Sequence, residues 1–147
     1  MVSLSQIYED VSGQGIRLFQ YELGDLSDAA ILRTAKGYGV FLDFNQYPTL
    51  REFKSALSHE VGHCATGALH AVGSPYEMIE RNEYKANRWA YERYFPLSAF
   101  RQAFRAGYTE PWQLAEWFDM PQQDVEAALR YWVECRGVDL RSLKAEP

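Results

Sequence analysis

Residues 49–70 read TLREFKSALSHEVGHCATGALH. Up to this point the chain is punctuated in the manner of short strands; from Thr49 the period becomes helical. Leu50, Phe53, Leu57, Val61, Cys64 and Ala68 recur every three or four residues, which predicts one helix with a single apolar stripe for burial. His59 and His63 lie off that stripe, beside Ser55, Thr66 and Gly67. Histidines at i and i+4 leave the same face of a helix, their Cβ atoms about 6 Å apart. That separation lets two imidazoles close on one ion at about 2.0–2.1 Å, the zinc–nitrogen distance. Glu60 sits between them, within reach of a water held on that ion. This is the H-E-x-x-H arrangement, in which the glutamate serves as general base.

One histidine on a helix flank is usually a structural or surface residue. Two at this spacing around a glutamate, in a chain with 3 histidines in all, point instead to a metal.

Hydrolysis at such a site requires three protein ligands and one open position. His70 is the first contender for the third. In the metzincin pattern H-E-x-x-H-x-x-G-x-x-H a glycine bends the chain and returns the last histidine to the metal, but here Gly67 and His70 each fall one position late. On a straight helix His70 would lie roughly 10 Å along the axis from His63. The second contender is Glu83, in NEYKANRWA on the next helix; a helix that carries a glutamate ligand and packs across the histidine helix is the gluzincin solution. Asn87, one turn on, shares its face and can orient a ligand by a hydrogen bond. Glu80 is a weaker alternative on the same face. Most glutamates are solvated helix charges, so Glu83 is favoured by the site's need for a third ligand.

Around this centre the chain is organised as follows. Residues 3–12 read as a short helix, with Leu4, Ile7, Tyr8 and Val11 on one stripe and Gly13 and Gly15 closing it. Three strand-like runs follow, IRLFQYEL (16–23), AAILRT (29–34) and GYGVFLDF (37–44), separated by Gly24–Asp25 and Lys36–Gly37. They predict a small, mostly antiparallel sheet of three strands. The second long helix opens at Ser74-Pro75-Tyr76-Glu77, an S-x-x-E capping box with proline at the first helical position, and runs to about Tyr94 before Pro96. Three shorter helices are expected at 97–106, 111–118 and 121–134. The fold class is therefore α+β, a single domain over 1–147 with a catalytic core at about 1–95 and a helical subregion at about 97–135.

The likeness to a family now becomes specific. HEVGHCATGALH followed by SPYEMIERNEYKANRWAYERYFP resembles the ImmA/IrrE-type small metallopeptidases, whose pattern is an H-E-x-G-H helix, then E-x-x-A-N-x-[FW]-A and a proline soon after. It maps onto His59, Glu60, Gly62, His63, Glu83, Ala86, Asn87, Trp89 and Ala90. The small sheet before the motif and GYTEPWQLAEWFDMP after it also resemble short members carried on prophages and integrative elements. The resemblance implies a gluzincin-like zinc endopeptidase with His59, His63 and Glu83 as ligands and Glu60 as base. It also implies a cytoplasmic setting and a protein substrate, a phage-type helix-turn-helix repressor. His70 is outside the family pattern. Tyr76, Tyr84 and His70 remain as candidate oxyanion donors. The alternative is a zinc-fold protein that antagonises a repressor or other partner by binding, without efficient cleavage.

Composition agrees with a folded domain. The chain has 147 residues, 47% of them hydrophobic, enough for a real core. A formal net charge of -5 gives no general footprint for nucleic acid or an anionic membrane. The first ten residues lack the features of a secretory signal, no apolar run is long enough to span a bilayer, and Cys64 and Cys135 make no disulfide framework. These features read as a reduced, cytosolic protein. LAEWFDMPQQDVEAALRYW looks like a helix-turn-helix, with Leu114, Ala115, Phe118, Val125 and Leu129 at core positions. Its would-be reading helix, however, exposes Gln122, Gln123, Asp124, Glu126 and Arg130, a net negative set that disfavours phosphate contact. A helical pair that packs or docks a protein is the expectation. The four tryptophans fall at helical spacing as packing residues, and Cys64, about 100° from His63 on the helix, is expected as a core thiol.

Overall fold

The computed structural model describes residues 1–22, 29–71 and 73–144. The chain divides into two compact units, Ser3–Ala90 and Met1–Val2 with Tyr91–Pro147.

In the first unit, helix α1 (Leu4–Gly13) begins at Ser3, whose hydroxyl accepts from the Gln6 amide at 3.1 Å. Strands β1 (Ile16–Gln20), β2 (Ala29–Thr34) and β3 (Gly37–Leu42) form a sheet in the order β1-β3-β2. The sheet is mixed where mostly antiparallel order was expected. β2 and β3 are joined across two residues, Ala35 and Lys36, which permits only an antiparallel hairpin, and Thr34 pairs with Gly37 at its mouth. β1 is tied to β2 by a much longer link, so it lies on the far side of β3 and pairs with it in parallel, Ile16 opposite Tyr38 and Gln20 opposite Leu42. The end of the first expected strand and its Gly24–Asp25 break fall outside the described residues.

Alternation gives the sheet two unlike faces. Val40 and Leu42 of β3 and Ile16 of β1 are buried with Ile7 and Val11 of α1, and with Leu57 and Val61 of helix α2 (Leu50–Thr66). Each such side chain contributes about 1.5–3 kcal/mol by leaving water. α2 opens with a complete capping box: the Glu52 amide donates to Thr49 Oγ1 at 3.1 Å and the Thr49 amide to Glu52 Oε2 at 3.3 Å. Leu57, Val61, Cys64 and Ala68 of the expected stripe are buried, but the buried face is wider than that stripe and does not include its first residue. Leu50 is 56% exposed, whereas Lys54, Ser58 and Gly62 are buried beside Leu57, Val61 and Cys64. Helix α3 (Tyr76–Tyr94) starts one residue after the expected proline, the Pro75 carbonyl accepting from the amides of Met78 and Ile79. The division between the units falls inside α3.

The second unit holds helices α4 (Leu97–Arg105), α5 (Pro111–Phe118) and α6 (Gln122–Arg130), followed by a π-helical turn at Tyr131–Cys135 and a short helix α7 (Leu140–Lys144) that the sequence pattern did not announce. Phe118 is its centre, 4.9 Å from Phe100 and 5.2 Å from Phe95 between ring centroids. Leu114, Ala115, Phe118 and Val125 are buried as expected, but Ala128 takes the core place assigned to Leu129. Trp132 donates from Nε1 to the Phe95 carbonyl, whereas Trp112 is 57% exposed and lies outside the core. Among the described residues no helix is long and apolar enough to cross a membrane.

Candidate metal centre

Two features of α2 set up the site. Gly62 lies against α3: a Cβ built there would meet the Ala86 carbonyl oxygen at 2.5 Å. Only glycine lets the two backbones come this close. The approach carries the His59–His63 face of α2 up to Glu83, one turn before Ala86. His59 Nε2 then lies 2.9 Å from Glu83 Oε2, His63 Nε2 lies 3.0 Å from Glu83 Oε1, and the two Nε2 atoms are 3.2 Å apart. These three residues form the one group of histidine, cysteine and acidic side chains close enough to hold a metal ion among the described residues.

The second feature is the end of α2. Gly67 adopts φ 65°, ψ 12°, a left-handed conformation that costs glycine little. The turn brings the Ala68 carbonyl to 2.8 Å from His63 Nδ1. A carbonyl can only accept, so Nδ1 donates to it, and in the neutral ring this leaves Nε2 with the lone pair that a metal requires. That lone pair faces a carboxylate oxygen and a second imidazole. Two imidazole nitrogens and two carboxylate oxygens thus converge on one point, an arrangement that a cation between them satisfies.

The donor set fits a metal in chemistry and size. Tetrahedral zinc bonded at about 2.0–2.1 Å places its ligand atoms about 3.3 Å apart, and the observed edges of 2.9–3.2 Å are a few tenths short of that. His63 is buried, while 32% of the His59 side chain and 38% of the Glu83 side chain reach solvent. The open side admits a further ligand.

The remaining candidates are distributed as follows. Glu60 is half-buried in α2 and close enough to Cys64 to act on its charge. Cys64 is buried, and desolvation, with Glu60 adding to it, pushes its thiol up to about 12, as befits a core thiol and not a ligand. His70 is not in the metal group, but the straight-helix distance does not explain why. α2 stops at Thr66 and the chain doubles back, leaving the His70 ring 6.1 Å from the His63 ring. Its Nδ1 is buried with no hydrogen-bond partner. Tyr76 is exposed, and its hydrogen bond to Glu80, together with that carboxylate's charge, raises the phenol's pKa. This pairing occupies the weaker alternative ligand, Glu80, away from the cluster. Tyr84 is 50% exposed.

Asn87 is half-buried on α3. The orienting hydrogen bond that the structure does show is donated by His63 Nδ1 to the Ala68 carbonyl. Side-chain reasoning missed it because any residue could supply it; the signal was Gly67, a natural helix stop. Asn82, also unforeseen, is buried and donates from Nδ2 to the Leu69 carbonyl at 3.0 Å, tying the loop after α2 to α3. Comparison with known proteins returned nothing: no family profile, curated protein or solved structure matches this chain.

Proposed function

We propose that this chain is a zinc-dependent endopeptidase of the ImmA/IrrE type, acting in the cytoplasm on a protein substrate, a phage-type helix-turn-helix repressor. The observation that carries the reading is the convergence of His59, His63 and Glu83, with Glu60 following the first histidine on the same helix. These three residues would hold the ion, and the hydrogen bond from His63 Nδ1–H to Ala68 would keep that ring's Nε2 aimed at it. A bound zinc supplies Lewis acidity, lowering the pKa of water and polarising a carbonyl. Glu60 receives the proton of the attacking water on its carboxylate and passes it to the leaving amine. His70 is best placed of the oxyanion candidates, since its ring neighbours His63 while the Tyr76 phenol is engaged by Glu80. β1 and β2 are both edge strands, each offering backbone groups to an extended peptide.

The test is incubation of the zinc-loaded protein with the repressor encoded beside it, comparing wild type with Glu60→Gln. Cleavage should slow by about 10²–10⁴-fold in the variant, with bound zinc unchanged. A variant that cleaves as fast as wild type would sink the assignment of Glu60. An intact repressor that is nevertheless bound and released from its operator would point to the second reading, antagonism without cleavage.

A further inference from the structure

The face of the sheet turned away from α1 and α2 is not what an acidic, self-sufficient surface should be. Its outward positions are Arg17, Phe19 and Tyr21 along β1, Gly37, Gly39 and Phe41 along β3, and Ala30, Leu32 and Thr34 along β2, by the register of the strands. Phe19 is 43% exposed, Tyr21 58% and Leu32 56%. An apolar cluster of this kind, open to water on a small domain, marks an interaction surface more often than not. It is also concave. With only glycines in the outward positions of β3 at this end, a hollow of about 260 Å³ opens between Phe19 and Leu32. Gly39 forms its floor: a Cβ there would sit 3.4 Å from the Phe41 ring and 3.6 Å from the Phe19 ring.

The charge around the hollow runs against that of the whole chain. Its lining includes Arg17 and Lys36 and no acidic residue, in a protein of net charge -5. Neither cation has an ion-pair partner among the described residues. A second copy of the chain is a poor occupant, because two-fold pairing of this patch sets Arg17 and Lys36 against themselves. A nucleic acid fits no better. The Phe19 and Phe41 rings stack on each other at 5.0 Å and 19°, which covers one face of each, and two cations on a chain of net charge -5 give little phosphate affinity.

We infer that this face docks a segment of a protein partner in which an aliphatic or aromatic side chain is flanked by carboxylates. The apolar side chain enters the hollow over Gly39, and the carboxylates meet Arg17 and Lys36. The sheet separates this face from α2, so docking here is independent of the metal centre and does not require that the chain be a peptidase. Should the chain cleave its partner, this surface would hold the partner at a distance from the scissile bond.

The experiment titrates the isotopically labelled full chain, with and without zinc, with a short synthetic peptide of alternating leucine and glutamate. A matched peptide of leucine and lysine serves as control. Amide shifts should gather at Phe19, Leu32 and Gly39 with the glutamate peptide only, and be the same with zinc removed. Joint substitution Arg17→Glu and Lys36→Glu should weaken glutamate-peptide binding about 2- to 30-fold, the worth of two surface ion pairs, and shift preference to the lysine peptide. Gly39→Ala, whose added methyl meets only ordinary contacts, should weaken binding without altering charge. The proposal is overturned if both peptides act alike, if the variants bind like wild type, or if the shifts lie elsewhere. It is likewise overturned if the same residues respond to protein concentration alone, or to oligo-dT in preference to the peptide.

Discussion

Replacing Gly62 by alanine tests the helix crossing on which the site depends. Ordinary contact begins at 3.4 Å and the new Cβ would lie 2.5 Å from the Ala86 oxygen, so α2 and α3 must part by about 0.9 Å. The oxygen belongs to the backbone of a helix, which leaves no flexible side chain to yield. Alanine is worth up to about 1 kcal/mol over glycine in a helix, and overpacking costs about 1–3 kcal/mol. The metal-free protein should thus lose between nothing and about 2 kcal/mol. The effect on the site is larger. Parting the helices takes Glu83 from 2.9 and 3.0 Å to nearly 4 Å from the histidine nitrogens, beyond the spacing of ligands on one zinc. We expect zinc affinity to fall about 10- to 100-fold, which removes about 1.4–2.8 kcal/mol of zinc-dependent stabilisation. The assay is thermal unfolding with and without zinc, alongside a competitive zinc titration. Gly13→Ala is the control: it lies at the end of α1 with nothing within 4 Å of its added methyl, and should be neutral or stabilising by up to about 1 kcal/mol. The reasoning is refuted if Gly62→Ala behaves like Gly13→Ala and keeps zinc affinity within about twofold of wild type.

Glu83→Ala should abolish stoichiometric zinc binding, while Glu80→Ala and His70→Ala retain it; full zinc occupancy in Glu83→Ala, read by elemental analysis, would return the third ligand to one of the others. Gly67→Ala forces a side chain into a positive φ and should cost about 1 kcal/mol, with weaker zinc binding because Ala68 turns from His63; Gly67→Asn should do better in both, and equal behaviour of the two would remove that turn from the argument. Native protein should label at Cys135 alone with a thiol reagent at neutral pH, and at both cysteines after unfolding, since Cys64 is buried and Cys135 exposed. Burial also keeps the Cys64 thiol protonated to about 12 against an ordinary 9.0, so its contribution is complete below 9.0 and declines as pH rises beyond it; a denaturant midpoint that climbs above that pH would contradict the sign.

Much of this arrangement was open to sequence reasoning because it depends on spacing. The i, i+4 histidines, the strand alternation and the proline after Tyr94 each follow from local geometry. What escaped was set by tertiary partners. A helical wheel makes Leu50 core and Lys54 surface, yet Lys54 is buried beside the stripe and Leu50, at the start of α2, is not. The parallel pairing of β1 with β3 is a contact between segments distant in sequence, which alternation within β1 does not report. The position of His70 was misjudged because the helix was carried past Gly67. The π-helical turn at Tyr131–Cys135 and the short α7 interrupt or follow helical sequence without a breaker strong enough to announce them.

The bond from His63 to Ala68 has a consequence for how this site can vary. Its acceptor is a main-chain oxygen, which every amino acid possesses, so position 68 can change identity without the ligand losing its guide. Selection for the bond would act on the path of the chain, through a residue at 67 that tolerates the turn and an Asn82 that fastens the loop. Two such proteins could then share the metal centre and its tuning while showing no common polar residue beyond the ligands and the base. Searching aligned side chains for the partner of His63 would find nothing, though the partner is always there.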